Sequence, residues 1–504
     1  MQGNERREIG YGVILSYVLI ILNAIYGLFM TPFILRYVGS SAYGVYKSVS
    51  SISASLAIMD LGLGTTTTRY MARYNATDDK EGANTFLGMM LTQMCILGTA
   101  VIIIGLGMVI GFPLFYQEGF SPEEMFLGRK MLIILVCGMS LQLLSNLLFG
   151  VLSGYQKFKF SNSIKILVLL TRITLLWLLL PRIRSVILIV TLNVFLSLAD
   201  IFIFGLYILF KVRLHPIFKR WNRSLFKETM GYTSLMFVQS LTIQFNGNVD
   251  NILLGARIGT LSVTVYSMAL TIFGMYENLS GSIANIMLPT VTKQVVDGAI
   301  PETLQKTVER AGRLQFLILA GALGGFFALG REFYLLWVGE LFEDCYWLVL
   351  MLIIPVTFPM IQNVSLSILR AENKMVYRTV TLAIACLANV VMTLIGIQFW
   401  GYWGAAMGTG MATLLNLIMM NMYYHKILHF QVFKMFRNIM KGIIESAVIA
   451  SVITAGIHRY LSGTWIAFAI SAGVFVVVYM GMLILFGLQK EERIQLTRKF
   501  REGR

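Results

Sequence analysis

Long apolar segments recur along the whole chain, and they constrain its fold more than any other feature. A transmembrane helix needs about 20 apolar residues to cross about 30 Å of hydrocarbon. The sequence therefore predicts an all-α polytopic membrane protein with about fourteen transmembrane helices joined by short polar connections. The predicted spans are 11–35, 48–68, 86–112, 131–156, 160–180, 186–210, 229–256, 263–290, 314–330, 346–369, 379–399, 402–424, 442–458 and 464–487.

Composition agrees with this prediction. Of the 504 residues, 57% are hydrophobic and 13% are charged, and such a chain is too apolar to keep its whole surface in water. The four cysteines stand singly, so neither disulfides nor a zinc site is predicted. The opening MQGNERREIG leads into the first apolar segment without a small-residue cleavage site, so we expect that segment to remain as helix one.

The basic residues predict the orientation. The net charge is +16, and about 31 of the 41 Lys and Arg residues fall on the side of the two termini, against about 9 on the other side. Both termini are therefore predicted to lie in the cytoplasm, with the chain in the cytoplasmic (inner) membrane. The basic loops are explained by topology and attraction to anionic lipid, and no nucleic-acid partner is predicted.

A faint internal repeat relates the two halves of the chain. A shift of about 220 residues pairs Gly39 with Gly259 and Tyr46 with Tyr266, each just beyond predicted helix one or seven. The repeat predicts two pseudo-symmetric six-helix lobes, 1–212 and 213–430, that rock around a midplane site. Residues 431–504 then form an additional helix pair with a basic cytoplasmic tail.

Ionisable residues inside predicted spans mark candidate sites, because each costs about 2.5 to 3.5 kcal/mol at the helix centre. Arg172 and Asp200 have similar predicted depths, which favours either a buried ion pair or contact of Arg172 with a substrate phosphate. The other candidates are Asp60, Asp250, Glu277 and Glu445, the last being assigned a local pair with Lys441.

Polar residues crowd around Asp250 in the segment QFNGNVDN. Asn246 and Asn248 accompany Asp250 there, and the group is either a cation or sugar-hydroxyl site lining a cavity or a set of interhelical hydrogen bonds. Asp60 and Glu277 are further candidates for a proton or sodium relay, and a structural carboxylate is the alternative for each.

Helix breakers mark candidate hinges. They are Pro32 in helix one, Gly62 and Gly64 in helix two, and Pro355 with Pro359 in helix ten. Proline removes an intrahelical hydrogen bond and kinks a helix, so each position is either a hinge for alternating access or a static kink.

Enzyme and ATP-driven classes lack their motifs. No P-loop pattern GxxxxGK[ST] occurs, and no Ser/His/Asp, His-cluster or paired-carboxylate arrangement stands at catalytic spacing. We therefore predict a secondary transporter rather than an enzyme, with no catalytic residues, no metal site and no bound cofactor, coupled if at all to a proton or sodium gradient.

The stretch of residues 31–74 carries a family resemblance. Its RY-x-G-x-x-x-YG-x-Y turn from Arg36 to Tyr46, DLGLG at Asp60 to Gly64, and the basic exit from Arg69 to Arg73 resemble the opening of polysaccharide-transport flippases. These belong to the multidrug/oligosaccharidyl-lipid/polysaccharide flippase superfamily. The segment NVDNILLGARIGTLSVTVYS and the LPT at Leu288 to Thr290 resemble the matching element of its second half.

The resemblance implies a flippase that moves undecaprenyl-pyrophosphate-linked oligosaccharide across the cytoplasmic membrane by alternating access. It would serve the biosynthesis of a surface polysaccharide such as capsule, exopolysaccharide, O-antigen or a teichuronic-type polymer. Membrane lipids, the lipid-linked oligosaccharide, and the polymerase and glycosyltransferases of the same pathway are the implied partners. Arg36, Lys47 and Arg172 are the basic residues best placed to contact the headgroup in a cationic cleft.

Two alternatives within the superfamily stay open at this point. A cation-coupled multidrug extruder would share the lobes but need an anionic cavity, whereas a cationic cavity would favour the flippase. A lipid II flippase would also use an added helix pair, as a groove for the lipid tail. A passive scramblase or structural partner is the alternative from another class, and intramembrane charges argue against it.

Overall fold

A computed structural model describes residues 2–60, 62–218, 223–372, 374–461 and 463–487. Side chains are described throughout these ranges except at 2–9, 13, 57, 58, 223–239, 281–286, 288 and 289. Every regular element in the described ranges is helical, because a backbone that crosses lipid must satisfy its hydrogen bonds internally. The prediction of an all-α fold is confirmed.

Seventeen α-helices follow one another within the described ranges. The first eight are α1 Gln2–Val38, α2 Ser40–Leu56, α3 Leu63–Ala76, α4 Lys80–Tyr116, α5 Pro122–Gly154, α6 Phe158–Ile183, α7 Val186–Tyr207 and α8 Arg223–Arg257. The others are α9 Thr260–Val296, α10 Pro301–Trp337, α11 Cys345–Met360, α12 Asn363–Ala371, α13 Met375–Trp400, α14 Tyr402–Ile427, α15 Val432–Met440, α16 Ile443–His458 and α17 Trp465–Met482.

Ten of the helices within the described ranges are long and apolar enough to cross a membrane, and α15 with α16, bent by 43°, make an eleventh if the pair is one span. Predicted spans seven and eight fall within α8 and α9, part of whose side chains lie outside the described set. Apolar side chains such as Ile103, Ile110 and Leu114 of α4 are exposed, as a lipid-facing surface requires. The chain is a multi-pass membrane protein, and the count of fourteen spans stays a prediction.

The chain divides into two compact units, residues 1–264 and 265–504. The core of the first unit lies where α3, α4 and α5 meet, around Met71, Phe86 and Leu147. Glycine permits the close approach of α3 and α5, since a Cβ on Gly150 would stand 2.7 Å from the carbonyl oxygen of Gly64. The predicted lobe boundaries at 212 and 430 are not tested by this division.

The second predicted span is a broken helix. A short 3₁₀ turn, Ala57–Asp60, ends α2, and α3 begins at Leu63. Between them Gly62 has φ 71° and ψ 17°, a left-handed conformation that favours glycine. Predicted span ten is likewise divided, because α11 ends at Met360, directly after Pro359, and α12 begins at Asn363. By contrast, α1 continues through Pro32 to Val38.

In the second unit, α10 packs against α11, α12, α15, α16 and α17. Its buried Arg313 joins α10 to the end of α15 and to the π-helical turn Leu483–Gly487 by donating hydrogen bonds to backbone carbonyls. Nη1 reaches the oxygens of Asn438 at 3.1 Å, Ile439 at 3.3 Å and Lys441 at 2.9 Å, and Nη2 reaches the oxygen of Gly487. Helix C-termini leave their last carbonyls without intrahelical partners, so Arg313 caps α15 and the short π-helical turn Leu483–Gly487 together.

Candidate functional site

Two basic residues lie on one face of α6 inside the first unit. Lys165 and Arg172 are seven residues apart, which places them two turns, about 10.5 Å, from each other on the same side of the helix. Both act electrostatically on Asp200 of the neighbouring α7. Lys165 also packs its Nζ 3.5 Å from the centroid of the Phe149 ring. The two cations and Asp200 form the centre of the candidate site.

The side chains of Arg172 and Asp200 approach each other without closing an ion pair. Among the described residues, the salt bridges with N to O distances within 4 Å do not include them. The Nε of Arg172 and the Oδ1 of Asp200 are buried and have no hydrogen-bond partner. The direct pair suggested by their similar depths is therefore absent, and both groups keep hydrogen-bonding capacity for another partner.

Aromatic residues and a third cation extend the site toward α1 and α2. Tyr26 of α1 lies within electrostatic reach of Arg172, Tyr43 and Tyr46. The half-buried Lys47 lies one helical turn after Tyr43, with Nζ 5.4 Å from the Tyr43 ring centroid and 5.9 Å from that of Tyr46. Lys47 and Arg172, which were predicted to contact a headgroup, therefore border the same group of tyrosines, Tyr26, Tyr43 and Tyr46.

Amide and hydroxyl groups connect Asp200 to Asp60. Ser197, three residues before Asp200, donates to the Oε1 of Gln142 at 3.4 Å, and the Nε2 of Gln142 donates to the Oδ1 of Asn146 at 3.1 Å. Asn146 borders Gly64 on the side where the Oδ2 of Asp60 also lies. The Oδ1 of Asp60 is buried without a hydrogen-bond partner. We call this row of polar side chains, from Lys47, Lys165 and Arg172 to the break between α2 and α3, the polar path.

The ionisable groups along this path have a positive balance. Lys47, Lys165 and Arg172 are cationic, and Asp60 and Asp200 are acidic. With every group ionised the path carries one net positive charge. Buried cations with open donors are the groups that bind phosphate and diphosphate in proteins, so the path has the charge required for an anionic headgroup.

Arg36 and the candidate residues of α8 each have their own surroundings, which are described separately. Arg36 is exposed in the last turn of α1. Asp250 is buried, while Asn246 and Asn248 are half-buried. Asn248 donates to the carbonyl oxygen of Gln244 in its own helix at 2.7 Å. The helix contacts α2 through Asn251, whose Nδ2 donates to Ser51 Oγ at 3.2 Å. Interhelical hydrogen bonding thus accounts for Asn251.

Glu277 lies on α9 in the second unit, where it is exposed. Its neighbour Tyr276 faces inward instead and lies 2.6 Å from Thr357 Oγ1 through its hydroxyl. Glu445 is exposed in the first turn of α16. Among the described residues, no three His, Cys, Asp or Glu side chains lie together in a way that would hold a metal ion.

An apolar groove runs between α10 and α17 in the second unit. Its volume is about 1000 Å³, and glycines at 321 and 325 of α10 open one wall, opposite Phe475 and Tyr479 of α17. A second apolar cavity of about 240 Å³ lies between α10, α11 and α16. Together they give α10 two sides that border apolar cavities.

Sequence reasoning missed Lys165 and Tyr26. Lys165 lies within predicted span five, five residues after its predicted start, so it was counted with the basic loops rather than as an intramembrane charge. Its spacing of seven residues from Arg172 was the available signal, because that spacing repeats one helix face. Tyr26 offers no such signal, since a tyrosine in an apolar span is ordinary.

The chain is similar to a known family and to a curated bacterial protein. The family described as "Polysaccharide biosynthesis protein" matches residues 9–294, more than half of the chain. A Bacillus subtilis (strain 168) protein named "Uncharacterized membrane protein EpsK" is 22% identical over 506 residues, which cover 96% of this chain and 96% of that protein. The resemblance found in residues 31–74 is confirmed.

Two solved structures show the fold. The structure of the lipid II flippase MurJ in an inward closed conformation has a TM-score of 0.71 at 14% identity, covering 94% of this chain and 98% of that chain. An inward-facing multidrug resistance MATE family transporter of the MOP superfamily has a TM-score of 0.66 at 16% identity, covering 83% and 96%. The fold is therefore that of the MurJ and MATE transporters.

Proposed function

Because the chain belongs to the polysaccharide biosynthesis protein family, we propose that this membrane transporter is a flippase for undecaprenyl-pyrophosphate-linked oligosaccharides. It carries the headgroup across the cytoplasmic membrane while the polyprenyl tail stays in lipid. A pyrophosphate-sugar headgroup cannot cross hydrocarbon unaided, since burying its charges in an apolar medium costs far more than thermal energy supplies. A polar, cationic path lowers that barrier.

The arrangement of Lys165, Arg172 and Asp200 carries the proposal. The long side chains of Lys165 and Arg172 start on the same face of α6 and can converge on one diphosphate. The unpartnered Nε of Arg172 is a donor for a phosphate oxygen. Asp200 stands near both cations when no substrate is bound. In this proposal the diphosphate displaces that interaction, and Lys47 contacts the headgroup from α2. The cationic balance of the path favours an anionic substrate over the organic cations of an extruder.

The groove between α10 and α17 supports a lipid-linked substrate. Its wall is almost wholly apolar, and α17 belongs to the helix pair beyond the internal repeat. A polyprenyl chain can leave the bilayer for this groove without losing an apolar surrounding, because lipid tails are about as apolar as the side chains of the wall. We assign the polar path of the first unit to the headgroup, and we regard the groove of the second unit as an apolar surface that a tail can occupy.

Alternating access, coupling and setting belong to the same proposal. The broken helix at Gly62 and the break after Pro359 are the positions where we place bending. Asp60, Asp250 and Glu277 are the carboxylates proposed to respond to a proton or sodium gradient. Both termini face the cytoplasm, and the polymerase and glycosyltransferases of the pathway supply and consume the substrate.

The test is a transport assay with the full chain in proteoliposomes. Fluorescent undecaprenyl-pyrophosphate oligosaccharide is added to one leaflet, and its arrival in the other is followed with and without proton or sodium gradients. Lys165→Gln and Arg172→Gln remove one cation each. Arg182→Gln, at the exposed end of the same helix, is the matched control.

Protein-dependent translocation that falls at least tenfold in Lys165→Gln and in Arg172→Gln, but not in Arg182→Gln, is the expected result. A lipid II substrate and a cationic dye are assayed in parallel. Preference for lipid II would make the chain a lipid II flippase, and dye efflux without glycolipid transport would make it an extruder. Either outcome refutes the proposed substrate.

A further inference from the structure

Helix α15 is a short amphipathic helix that no transmembrane prediction included. It covers Val432–Met440, with Met435 and Ile439 fully buried on one side. The opposite side carries Phe433, which is 92% exposed, and the exposed Lys434 and Arg437. A fully exposed aromatic side chain beside two basic residues is typical of helices that lie at a membrane interface.

The buried side of α15 is fixed to α10 by several contacts. Asn438 Nδ2 donates to Glu309 Oε2 at 2.9 Å, and the backbone nitrogen of Gln431 donates to Gln305 Oε1 at 2.9 Å. A Cβ on Gly312 would stand 2.8 Å from Ile439 Cδ1, so this side chain fills the space above the glycine. These contacts, with the Arg313 hydrogen bonds, determine which face of α15 points outward.

The outward face has a positive charge that nothing described neutralises. Lys434 and Arg437 are one turn apart, and Lys441 follows one turn later at the end of the helix. The segment QVFKMFRNIMKGIIES contains one acidic residue, the exposed Glu445. Neither Lys434, Arg437 nor Lys441 forms a salt bridge among the described residues. Within this segment three cations therefore stand against one carboxylate, and the carboxylate of Glu309 contacts the opposite, buried side of α15 through Asn438.

The position of α16 sets the depth of α15. Helix α16 has 16 residues, which rise about 24 Å, less than the hydrocarbon thickness of about 30 Å. Its Ile449, Ile453 and Ile457 are exposed along one side, at the spacing of a lipid-facing stripe. Together α15 and α16, residues 432–458, rise about 40 Å along the chain, more than the hydrocarbon thickness. Because the 43° bend falls between the two helices, α15 is the part of this pair that reaches the phospholipid headgroups.

We propose that Phe433, Lys434, Arg437 and Lys441 form a binding surface for the headgroups of anionic phospholipids. The basic side chains contact the phosphates, and Phe433 enters the acyl region beside them. The surface holds α15, and through it the start of α10, against the anionic leaflet. This contact concerns the bilayer lipids rather than the transported glycolipid, so it does not depend on the proposed function.

The test measures which lipid the purified full chain retains. The protein is equilibrated with equal amounts of a phosphatidylglycerol and a phosphatidylcholine of identical acyl chains, and bound lipid is counted by native mass spectrometry. Lys434→Gln/Arg437→Gln removes two charges of the surface. Arg129→Gln/Lys130→Gln, in exposed residues near the start of α5, is the matched control, and Lys434→Gln alone is the milder variant.

The wild type is expected to retain the phosphatidylglycerol preferentially. One neutralised residue lowers that preference about fivefold, and two lower it up to about 25-fold, as expected for about 1 kcal/mol per basic residue at an anionic surface. The control keeps the wild-type preference. Equal retention of both lipids by the wild type, as a surface for an acidic protein would give, overturns the proposal. So does a Lys434→Gln protein that keeps the full preference.

Discussion

Replacing Arg313 by alanine should destabilise the second unit more than any surface change. The side chain is only 4% exposed, and its guanidinium donates to four backbone carbonyls, those of Asn438, Ile439, Lys441 and Gly487. Alanine supplies no donor, so carbonyls at the end of α15 and at Gly487 lose their partner. They become buried acceptors without a hydrogen bond.

The magnitude follows from the number and kind of these bonds. A hydrogen bond from a charged group contributes about 1.5 to 3 kcal/mol, and each unsatisfied buried acceptor costs about 1 to 3 kcal/mol. The contributions do not add fully, because water can enter and the three Nη1 contacts share one donor group. We expect a loss of about 3 to 5 kcal/mol in the free energy of unfolding, which lowers Tm by about 10 °C in a unit of this size.

Thermal unfolding of the purified protein in one detergent, followed by fluorescence-detected size exclusion, measures this loss. Arg310→Ala changes an exposed arginine one turn earlier on the same helix and should stay within about 2 °C of the wild type. Arg313→Lys keeps the charge without the planar fork and should fall between the two. An Arg313→Ala protein that melts with Arg310→Ala would refute the role given to the four carbonyl contacts.

Three further predictions concern the first unit and the groove. Gly62→Ala should cost about 1 to 2 kcal/mol of stability, because the residue has a left-handed backbone; an unchanged Tm would contradict this. Gly325→Phe should narrow the groove, because the ring of Phe475 lies 3.2 Å from the position of a Cβ at residue 325. We expect it to slow transport of long-chain polyprenyl substrates more than transport of short-chain analogues. Equal slowing of both would show that the tail does not occupy the groove. Arg172→Met with Asp200→Leu should abolish transport while keeping or raising Tm, since apolar replacement of buried charges is often neutral or stabilising; a large fall in Tm would show that the two charges hold the fold.

The apolar segments predicted most helices because a membrane-spanning helix must be long and hydrophobic, and both properties can be read directly from the sequence. The interruption at Gly62 shows what the sequence alone does not predict about the backbone. The sequence DLGLG indicated a flexible point, but the left-handed conformation depends on how α3 packs against α5, with Gly64 and Gly150 in close approach. Similarly, span nine was predicted to begin at residue 314, whereas α10 begins at Pro301. Its first turns are polar on the outside and therefore carry no hydrophobic signal.

The candidate site was predicted in part for a similar reason. A charged residue within an apolar segment can be recognised from the sequence alone, so Arg172, Asp200 and Asp60 were identified as candidates. Which charges share a surrounding depends on helix rotation and packing. In the folded chain, rotation and packing of the helices bring Lys165 near Asp200 and leave Arg172 without a direct ion pair to Asp200. They also leave Arg36 exposed. Helix α15 was missed because nine residues are too few for a span.

The Arg313 contacts also have a consequence for how the protein is made. Its acceptors at Asn438 and Gly487 lie 125 and 174 residues later in the chain. At about 5 to 20 residues per second of synthesis, α10 leaves the ribosome about 10 to 30 s before Gly487 does. Until α15 emerges, 125 residues after Arg313, the guanidinium has none of these four carbonyls, and the wall of the groove opposite α10 forms only once α17 has been made. Biogenesis must therefore hold α10 in an incomplete state until α15 and α17 arrive to enclose it.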